Sequence, residues 1–330
     1  MNTISLAIFG AGSWGTAVAI HLAASGHRVL LWGRDAEHMQ NLTDHRENRR
    51  YLPGIPFPDT LIPTANLAQC VQEAEHIIIA VPSHAFAETL SLLPKLKHGL
   101  SWITKGIDPK SHCLLSELVA SRFGKDFPIA VISGPSFANE VARHLPTALV
   151  VSGNNERYSH TIRDVFQQKT VRVYLNSDYV GVQICGAVKN VLAIACGISD
   201  GLMYGANAKA ALITRGLSEM SRLGHAFHAQ EKTFMGLAGL GDLVLTCTDN
   251  QSRNRRFGLL LGQGISIDDA KIQIGQVIEG IYNAKQVCTL AAMKHIELPI
   301  CYQVNALIQG DITPQEAAIQ LMQRPLQSEE

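Results

Sequence analysis

The sequence lacks the features that mark disulfide-rich, metal-binding and nucleic-acid-binding proteins. None of its seven cysteines forms a CxxC pair, and its thirteen histidines form no HxH or HExxH motif. We therefore expect reduced thiols and no metal site. The 28 basic side chains equal the 28 acidic ones in number, which argues against a surface for nucleic acid. A Walker phosphate-binding motif is absent as well.

Long apolar runs are also missing. No stretch of about 18 uncharged apolar residues occurs, and the longest candidate, Ile184 to Ile198, contains Lys189. The N-terminus has no basic segment, and its apolar run is a predicted strand. We therefore expect no signal peptide, no membrane span and a cytoplasmic location, where unpaired cysteines stay reduced.

What is present is typical of a globular protein with two domains. Apolar residues make up 46% of the sequence, an ordinary share for a globular protein. A chain of 330 residues is longer than one hydrophobic core usually supports. Strand and helix signals alternate up to about Asp178, and helix periodicity dominates afterwards. We predict a dinucleotide-binding domain over residues 1–180 and a helical substrate domain over 181–330, with a disordered tail from Arg324 to Glu330. The strands of the first domain are expected to form a parallel or mixed doubly wound sheet of the α/β class. The predicted helical segments of the second are Val180–Ser199, Ala208–Leu223, Arg255–Leu261, Ser266–Ala270, Tyr282–Lys294, Ile300–Gln309 and Pro314–Met322.

The first 34 residues favour a nucleotide site. An apolar strand leads into Gly10-Ala11-Gly12-Ser13-Trp14-Gly15, and a small-residue helix and a second apolar strand follow. Gly10 allows a tight turn, Gly12 lets a pyrophosphate approach the backbone, and Gly15 lets the helix pack close to the sheet. Free N–H groups at the helix start would face the anion. The alternative is a glycine turn that only joins a strand to a helix.

Lys189 is the only charged residue in the apolar segment from Val180 to Ala195. A buried ammonium is costly unless it is paired or used, and burial shifts its pKa toward the range useful for proton transfer. Gly181 and Gly186 leave room for another element to approach this segment. The alternative is a lysine that extends to water from an apolar helix.

Other polar residues lie where predicted strands end or glycines break the chain. Lys105 and Ser136 each follow a strand of the predicted sheet, at the edge where open α/β sheets bind ligands. Asp242 lies between glycines in a predicted loop, where it is either a turn residue or the partner of Lys189. Glu279 stands at a glycine break, where it would hold a ribose or cap a helix.

Two arginine positions bear on anion binding. Three arginines, from Arg253 to Arg256, precede a predicted apolar helix, and they favour a phosphate site over a solvated basic turn. Arg34 follows the second strand, where an arginine suits the 2′-phosphate of NADP, and Asp35 comes next. We therefore expect NADP(H) as the preferred cofactor, with NAD(H) as the alternative.

The motifs together resemble one family, the bacterial NAD(P)-dependent glycerol-3-phosphate dehydrogenases. The resemblance spans residues 5 to 320, and the motifs occur in the family's order. They are Gly10-Ala11-Gly12-Ser13-Trp14-Gly15-Thr16, Thr104-Lys105-Gly106, Ser133-Gly134-Pro135-Ser136-Phe137-Ala138, Lys189-Asn190, Gly239-Leu240-Gly241-Asp242-Leu243, Ser252-Arg253-Asn254 and Val277-Ile278-Glu279-Gly280.

The resemblance implies an N-terminal Rossmann domain, a helical C-terminal domain, and reversible reduction of dihydroxyacetone phosphate to sn-glycerol 3-phosphate for phospholipid synthesis. It makes Lys189 the catalytic acid and base. The substrate would contact Lys105, Gly134, Ser136, Lys189, Asp242, Ser252, Arg253 and Asn254. The cofactor would contact Gly10, Gly12, Ser13, Trp14, Gly15, Arg34, Lys105, Ala138, Arg253, Val277 and Glu279.

Two other functions stay open at the level of sequence. One is a two-domain dehydrogenase of 3-hydroxy acids, and the other is a nucleotide-sensing module without turnover. The Ser252-Arg253-Asn254 group favours a phosphate over a lone carboxylate, and a desolvated Lys189 favours catalysis over binding alone. A homodimer is expected for so long a helical domain.

Overall fold

The computed structural model describes residues 3–323, so the tail from Arg324 to Glu330 lies outside the described residues. The α/β fold with a helical second part is confirmed. The strands are β1 (Ser5–Phe9), β2 (Arg28–Trp32), β3 (Glu47–Asn48), β4 (Leu52–Pro56), β5 (Leu61–Thr64), β6 (His76–Ile79), β7 (Leu100–Trp102), β8 (Ile129–Ser133), β9 (Thr147–Gly153) and β10 (Val171–Asn176). The helices among them are α1 (Ser13–Ala24), α2 (Ala36–His45), α3 (Leu67–Glu73), α4 (Ser83–Leu92), α5 (Leu115–Phe123), α6 (Ala138–Ala142) and α7 (Glu156–Phe166).

Eight strands form one sheet in the order β10-β9-β8-β7-β6-β1-β2-β5, and β3 pairs with β4 in a separate hairpin. Neighbouring strands of the sheet are parallel except for the antiparallel pair β8 and β9, so the sheet is mixed. In β1, Leu6 and Ile8 face one apolar layer, and Ala7 and Phe9 face the other. This alternation buries the strand on both faces, which is why helices cover both sides of the sheet.

In the second part of the chain, the described residues after Asn176 form helices and connecting segments but no strand. Its helices are α8 (Tyr179–Gly201), α9 (Gly205–His225), α10 (Glu231–Phe234), α11 (Asp242–Thr248), α12 (Arg253–Gly262), α13 (Ile267–Ile274), α14 (Glu279–Met293), α15 (Pro299–Gln309) and α16 (Pro314–Met322). A π-helical turn, Leu237–Gly241, leads directly into α11. Each predicted helical segment overlaps one of these helices.

Helix α8 is the core of the second part and packs against α9, α11, α12 and α14. By length and composition α8 could cross a membrane, but its apolar window is entirely buried inside the protein, as in the core helix of a soluble protein. Glycines let α12 approach α8 closely. A Cβ on Gly197 would lie 2.0 Å from the carbonyl oxygen of Arg255, and one on Gly258 would lie 2.1 Å from that of Ile194. The start of α12 is therefore set by backbone contact with α8.

Two local predictions are wrong. Asp242 does not lie in a loop, because it begins α11 directly after the π-helical turn. A Cβ on Gly239 would lie 2.1 Å from the carbonyl oxygen of Phe234, so that glycine serves close packing rather than a break in the chain. The three arginines do not precede a helix either. They form the first turn of α12, with Ser252 as its N-cap, since the Ser252 side chain accepts a hydrogen bond from the backbone N–H of Arg255.

Candidate active site

A cleft of about 920 Å³ opens at the carboxyl ends of the parallel strands and is closed on its other side by the helical part. Most of the predicted site residues line this cleft. They are Gly10, Gly12, Ser13, Trp14, Arg34, Lys105, Ser136, Ala138, Lys189, Asp242, Ser252, Arg253, Asn254, Val277 and Glu279. Gly15 and Gly134 do not line it, although the carbonyl oxygen of Gly134 accepts a hydrogen bond from Lys105, which does. Residues far apart in the sequence therefore meet in one place.

The glycine loop after β1 has the shape that a dinucleotide requires. Gly10 has φ +127°, and a Cβ there would lie 2.9 Å from the carbonyl oxygen of Ala80. A Cβ on Gly15 would lie 1.9 Å from the carbonyl oxygen of Gly10, whereas one on Gly12 would meet none of the described residues within 4 Å. Gly10 and Gly15 thus serve the tight turn, and Gly12 keeps the space beside the start of α1 open for a phosphate. The buried indole nitrogen of Trp14 also has no hydrogen-bond partner among residues 3–323. These residues fit a dinucleotide cofactor.

One carboxylate pairs with two lysines at the centre of the cleft. Asp242 Oδ1 lies 2.6 Å from Lys189 Nζ, and its Oδ2 lies 2.6 Å from Lys105 Nζ. Lys189 Nζ also donates to Thr246 Oγ1 at 3.0 Å, and Lys105 Nζ donates to the carbonyl oxygen of Gly134 at 3.2 Å. The Asp242 side chain is only 1% exposed and that of Lys189 7%. The expected contact between Asp242 and Lys189 is therefore present.

Burial and neighbouring charges shift the pKa values of Lys189 and Asp242. Burial lowers the pKa of Lys189 to about 7, and the second ammonium, on Lys105, also lowers it, while Asp242 opposes the shift. Burial alone would raise the pKa of Asp242, but the two ammonium groups hold it below its ordinary value. Lys189 is thus poised to exchange a proton near neutral pH, beside a carboxylate that stays ionised.

The start of α12 lines the same cleft as the two lysines and carries donors suited to an anion. Arg253 is the first residue of this helix, and its Nη1 donates to Gln276 Oε1 at 3.3 Å. The Asn254 side chain donates to Asn190 Oδ1 at 2.9 Å and accepts from the backbone N–H of Gly280 at 2.9 Å. These bonds connect α12 to α8 and α14, so Arg253 projects from a fixed base. A guanidinium at a helix N-terminus is a typical phosphate site.

Both parts of the chain contribute to the far wall of the cleft, which Ala138, Val277 and Glu279 line. Glu279 begins α14, and its carboxylate accepts a hydrogen bond from Ser83 Oγ at 3.0 Å. Burial raises the pKa of Glu279 to about 7. Val277 is partly exposed at the rim, and Ala138 begins α6. Ser136 Oγ donates to the carbonyl oxygen of Gly134 at 2.9 Å, the same oxygen that Lys105 contacts.

At the outer end of the cleft, Arg34 follows β2 as predicted. Its Nη1 lies 3.5 Å from Glu88 Oε2, and both side chains are well exposed. The Asp35 carboxylate is engaged in capping α2, since it accepts from the backbone N–H of His38 at 3.0 Å. The carboxylate of Asp35, the acidic residue nearest the end of β2, is therefore engaged by the helix start, and Arg34 beside it is open to solvent.

The sequence reasoning missed several residues of the site. Thr246 lies one helical turn after Asp242, a relation that is visible only once this segment is known to be helical. Asn190 was named only as part of the Lys189-Asn190 motif and was given no role, although it directly follows the lysine in an apolar helix. Gln276 accepts hydrogen bonds from both Ser13 and Arg253, and no local signal marked it. Within residues 3–323, no group of three acidic, histidine or cysteine side chains could hold a metal ion.

Comparisons with known proteins agree with this geometry. The family model for the NAD-dependent glycerol-3-phosphate dehydrogenase N-terminus matches residues 5–159, and the model for the C-terminus matches residues 178–319. The glycerol-3-phosphate dehydrogenase [NAD(P)+] of Legionella pneumophila strain Philadelphia 1 is 62% identical over 329 residues and is covered completely, as is this chain. That of Shewanella pealeana is 48% identical, with 99% of this chain and 98% of the relative covered.

A solved structure agrees over the whole fold. The crystal structure of glycerol-3-phosphate dehydrogenase from Coxiella burnetii superposes with a TM-score of 0.94 at 48% identity, and covers 98% of this chain and 99% of the other. The two family models together span most of the described residues. This chain belongs to the family of NAD-dependent glycerol-3-phosphate dehydrogenases.

Proposed function

We propose that this protein reversibly reduces dihydroxyacetone phosphate to sn-glycerol 3-phosphate with NADPH or NADH, and so supplies glycerophospholipid synthesis. The observation that carries the proposal is the arrangement of Lys189, Asp242 and Lys105 in one cleft with Arg253. It joins a proton donor to an anion site beside a dinucleotide loop. That combination suits a small phosphorylated ketone better than a lone carboxylic acid.

Lys189 is the proposed catalytic acid and base. A nicotinamide cofactor held by the glycine loop would supply or accept the hydride at the substrate carbon. Lys189 Nζ gives a proton to the ketone oxygen during reduction, and in its neutral form takes one from the hydroxyl group during oxidation. Its lowered pKa, about 7, makes both forms available at neutral pH. Asp242 and Thr246 hold the ammonium in place, and Lys105 stabilises negative charge on the oxygen.

The start of α12 is the proposed phosphate site. Arg253 supplies a forked cation, and Ser252 and Asn254 supply polar groups on either side. The phosphate anchors a substrate that is too small to be oriented by other contacts. The remaining proposed substrate contacts lie opposite, at the ends of β7 and β8. They are Lys105, Gly134 and Ser136.

The glycine loop and the far wall are the proposed cofactor site. The cofactor contacts would be made by Gly10, Gly12, Ser13, Trp14, Gly15, Arg34, Lys105, Ala138, Arg253, Val277 and Glu279. We propose that NADP(H) is preferred over NAD(H). The exposed Arg34 suits a 2′-phosphate, while the Asp35 carboxylate is engaged in capping α2.

The decisive assay is absorbance at the NAD(P)H band with purified protein and dihydroxyacetone phosphate. NADPH and NADH are run separately, and unphosphorylated dihydroxyacetone is the control. Oxidation that depends on the phosphate supports the proposed reaction. Folded protein that binds the cofactor but oxidises neither form would reject this substrate and favour a 3-hydroxy-acid dehydrogenase or a sensor.

The organisation of the protein is proposed from the same features. The boundary between the dinucleotide-binding and helical substrate domains is placed at residues 180 and 181, close to the start of α8. A cytoplasmic homodimer without nucleic-acid partners is the proposed state. Met203 is 87% exposed and Tyr204 49% exposed at the start of α9, where a second copy would cover them. Light scattering of the purified protein would distinguish a dimer from a monomer.

A further inference from the structure

A short hairpin lies at the cofactor end of the cleft. It consists of β3 and β4, and Arg49, Arg50 and Tyr51 form its turn. Arg50 and Tyr51 line the cleft, whereas Arg49 does not. The family resemblance assigned no role to Arg50. Its function therefore has to be derived from its contacts.

Asn48 fixes this hairpin to the glycine loop. The Asn48 side chain is fully buried and donates to the carbonyl oxygen of Ala11 at 3.0 Å and to Thr16 Oγ1 at 2.8 Å. Its Oδ1 accepts from the backbone N–H of Tyr51 at 3.2 Å, and Ser13 Oγ donates to the Tyr51 carbonyl oxygen at 2.7 Å. A buried polar side chain with all these bonds is costly to displace. The turn is therefore held in a fixed position beside the dinucleotide loop.

Contacts between side chains connect Arg50 to the segment after β2. The Arg50 guanidinium lies 5.0 Å from the centre of the Tyr51 ring. The His38 ring meets the same Tyr51 ring edge-on, with 5.4 Å between ring centres. The backbone of His38 in turn donates to Asp35, the residue after Arg34. Arg34 and Arg50 thus belong to one continuous part of the cleft wall.

The charges of this wall favour an anion at Arg50. Arg34 is paired with Glu88, and Asp35 is engaged with the start of α2. Arg50 forms no ion pair with any of the residues 3–323. Its guanidinium lies over the Tyr51 ring, which orients the cation, and its N–H donors have no hydrogen-bond partner among residues 3–323.

We propose that Arg50 is a specificity-determining residue that binds, together with Arg34, the 2′-phosphate of an NADP-type dinucleotide. A phosphate monoester offers three acceptor oxygens and close to two negative charges, so a second guanidinium adds bonds that the first cannot make. A dinucleotide with a 2′-hydroxyl group gains nothing comparable from Arg50. The inference rests on the proposed function only for the identity of the cofactor.

The test measures binding rather than turnover. Isothermal titration calorimetry compares 2′,5′-ADP with 5′-ADP on the wild-type protein and on Arg50→Ala, Arg50→Lys and Arg49→Ala. Because charged hydrogen bonds are lost, Arg50→Ala should weaken 2′,5′-ADP binding by about tenfold or more and leave 5′-ADP binding nearly unchanged. Arg50→Lys should restore part of the affinity, because it returns the charge without the fork.

Arg49→Ala is the matched control. Arg49 is the neighbouring arginine on the same turn, and it lies near Glu47, with 3.8 Å between Nε and Oε2. It should leave both affinities unchanged. The proposal is overturned if Arg50→Ala weakens both ligands equally, if it weakens neither, or if Arg49→Ala has the same effect. Unchanged thermal melting of the variants shows that they are folded.

The binding test is independent of the reaction. Discrimination by Arg50 without any reduction of dihydroxyacetone phosphate would reject the proposed function and keep this inference. Reduction of dihydroxyacetone phosphate with no discrimination by Arg50 would support the proposed function and reject this inference. As a second readout, Arg50→Ala should raise the KM for NADPH much more than the KM for NADH.

Discussion

Lys189→Met removes the proposed proton donor with little other disturbance. Methionine keeps most of the length of the lysine side chain, so the packing of α8 is retained. Asp242 does not become an unpaired buried charge, because Lys105 Nζ still lies 2.6 Å from its Oδ2. The variant therefore tests chemistry rather than folding. The loss of a general acid predicts that kcat for reduction falls about 10²- to 10⁴-fold.

Steady-state oxidation of NADPH with saturating dihydroxyacetone phosphate measures this loss. Fluorescence titration with NADPH should show nearly unchanged cofactor affinity. Lys271→Met is the control, since Lys271 is an exposed lysine whose only ion-pair partner among residues 3–323 is Asp268, one helical turn earlier. It should retain full activity. A Lys189→Met enzyme with near-normal kcat would remove Lys189 from the mechanism.

Three further variants test the phosphate site, the helix packing and the carboxylate. Arg253→Ala should raise the KM for dihydroxyacetone phosphate about 10- to 100-fold through loss of charged hydrogen bonds, and an unchanged KM in steady-state assays would refute the phosphate assignment. Gly258→Ala places a Cβ 2.1 Å from a backbone oxygen of α8, so calorimetry should show a loss of about 1–3 kcal/mol or more in the free energy of unfolding. Asp242→Asn removes the anion that raises the pKa of Lys189, so kcat/KM for reduction at pH 8 should fall by about tenfold or more. Equal kcat/KM values for Asp242→Asn and the wild type would show that the carboxylate does not tune the lysine.

Sequence patterns were sufficient where the physical requirement is local. The spacing of Gly10, Gly12 and Gly15 between two apolar strands predicted the turn that the structure contains. Lys189 stood out because a single charge in a long apolar helix has to be explained. The predicted helical segment Pro314–Met322 has the same bounds as α16, and Thr313 and Glu316 form a capping box at its start.

Local patterns failed where tertiary packing decides the structure. The glycines before Asp242 suggested a loop, yet Gly239 is there because the backbone of Phe234 approaches it closely. The β3–β4 hairpin was missed, since its position depends on Asn48 contacting a loop 37 residues earlier. The pair of Lys105 and Asp242 joins residues 137 positions apart, a proximity that no local pattern contains. The family resemblance grouped these residues in one site, but only the structure gives the contacts among them.

The most direct test of the central claim is the pH dependence of kcat/KM in both directions of the reaction. Reduction requires Lys189 protonated, so kcat/KM should fall as pH rises through about 7, the lowered pKa of this lysine. Oxidation requires the neutral amine, so kcat/KM should rise over the same range. Burial raises the pKa of Glu279 to about 7 as well, and Glu279→Gln should therefore leave the two opposite slopes in place. Slopes of the same sign in both directions, or no change near pH 7 in either, would contradict proton transfer by Lys189.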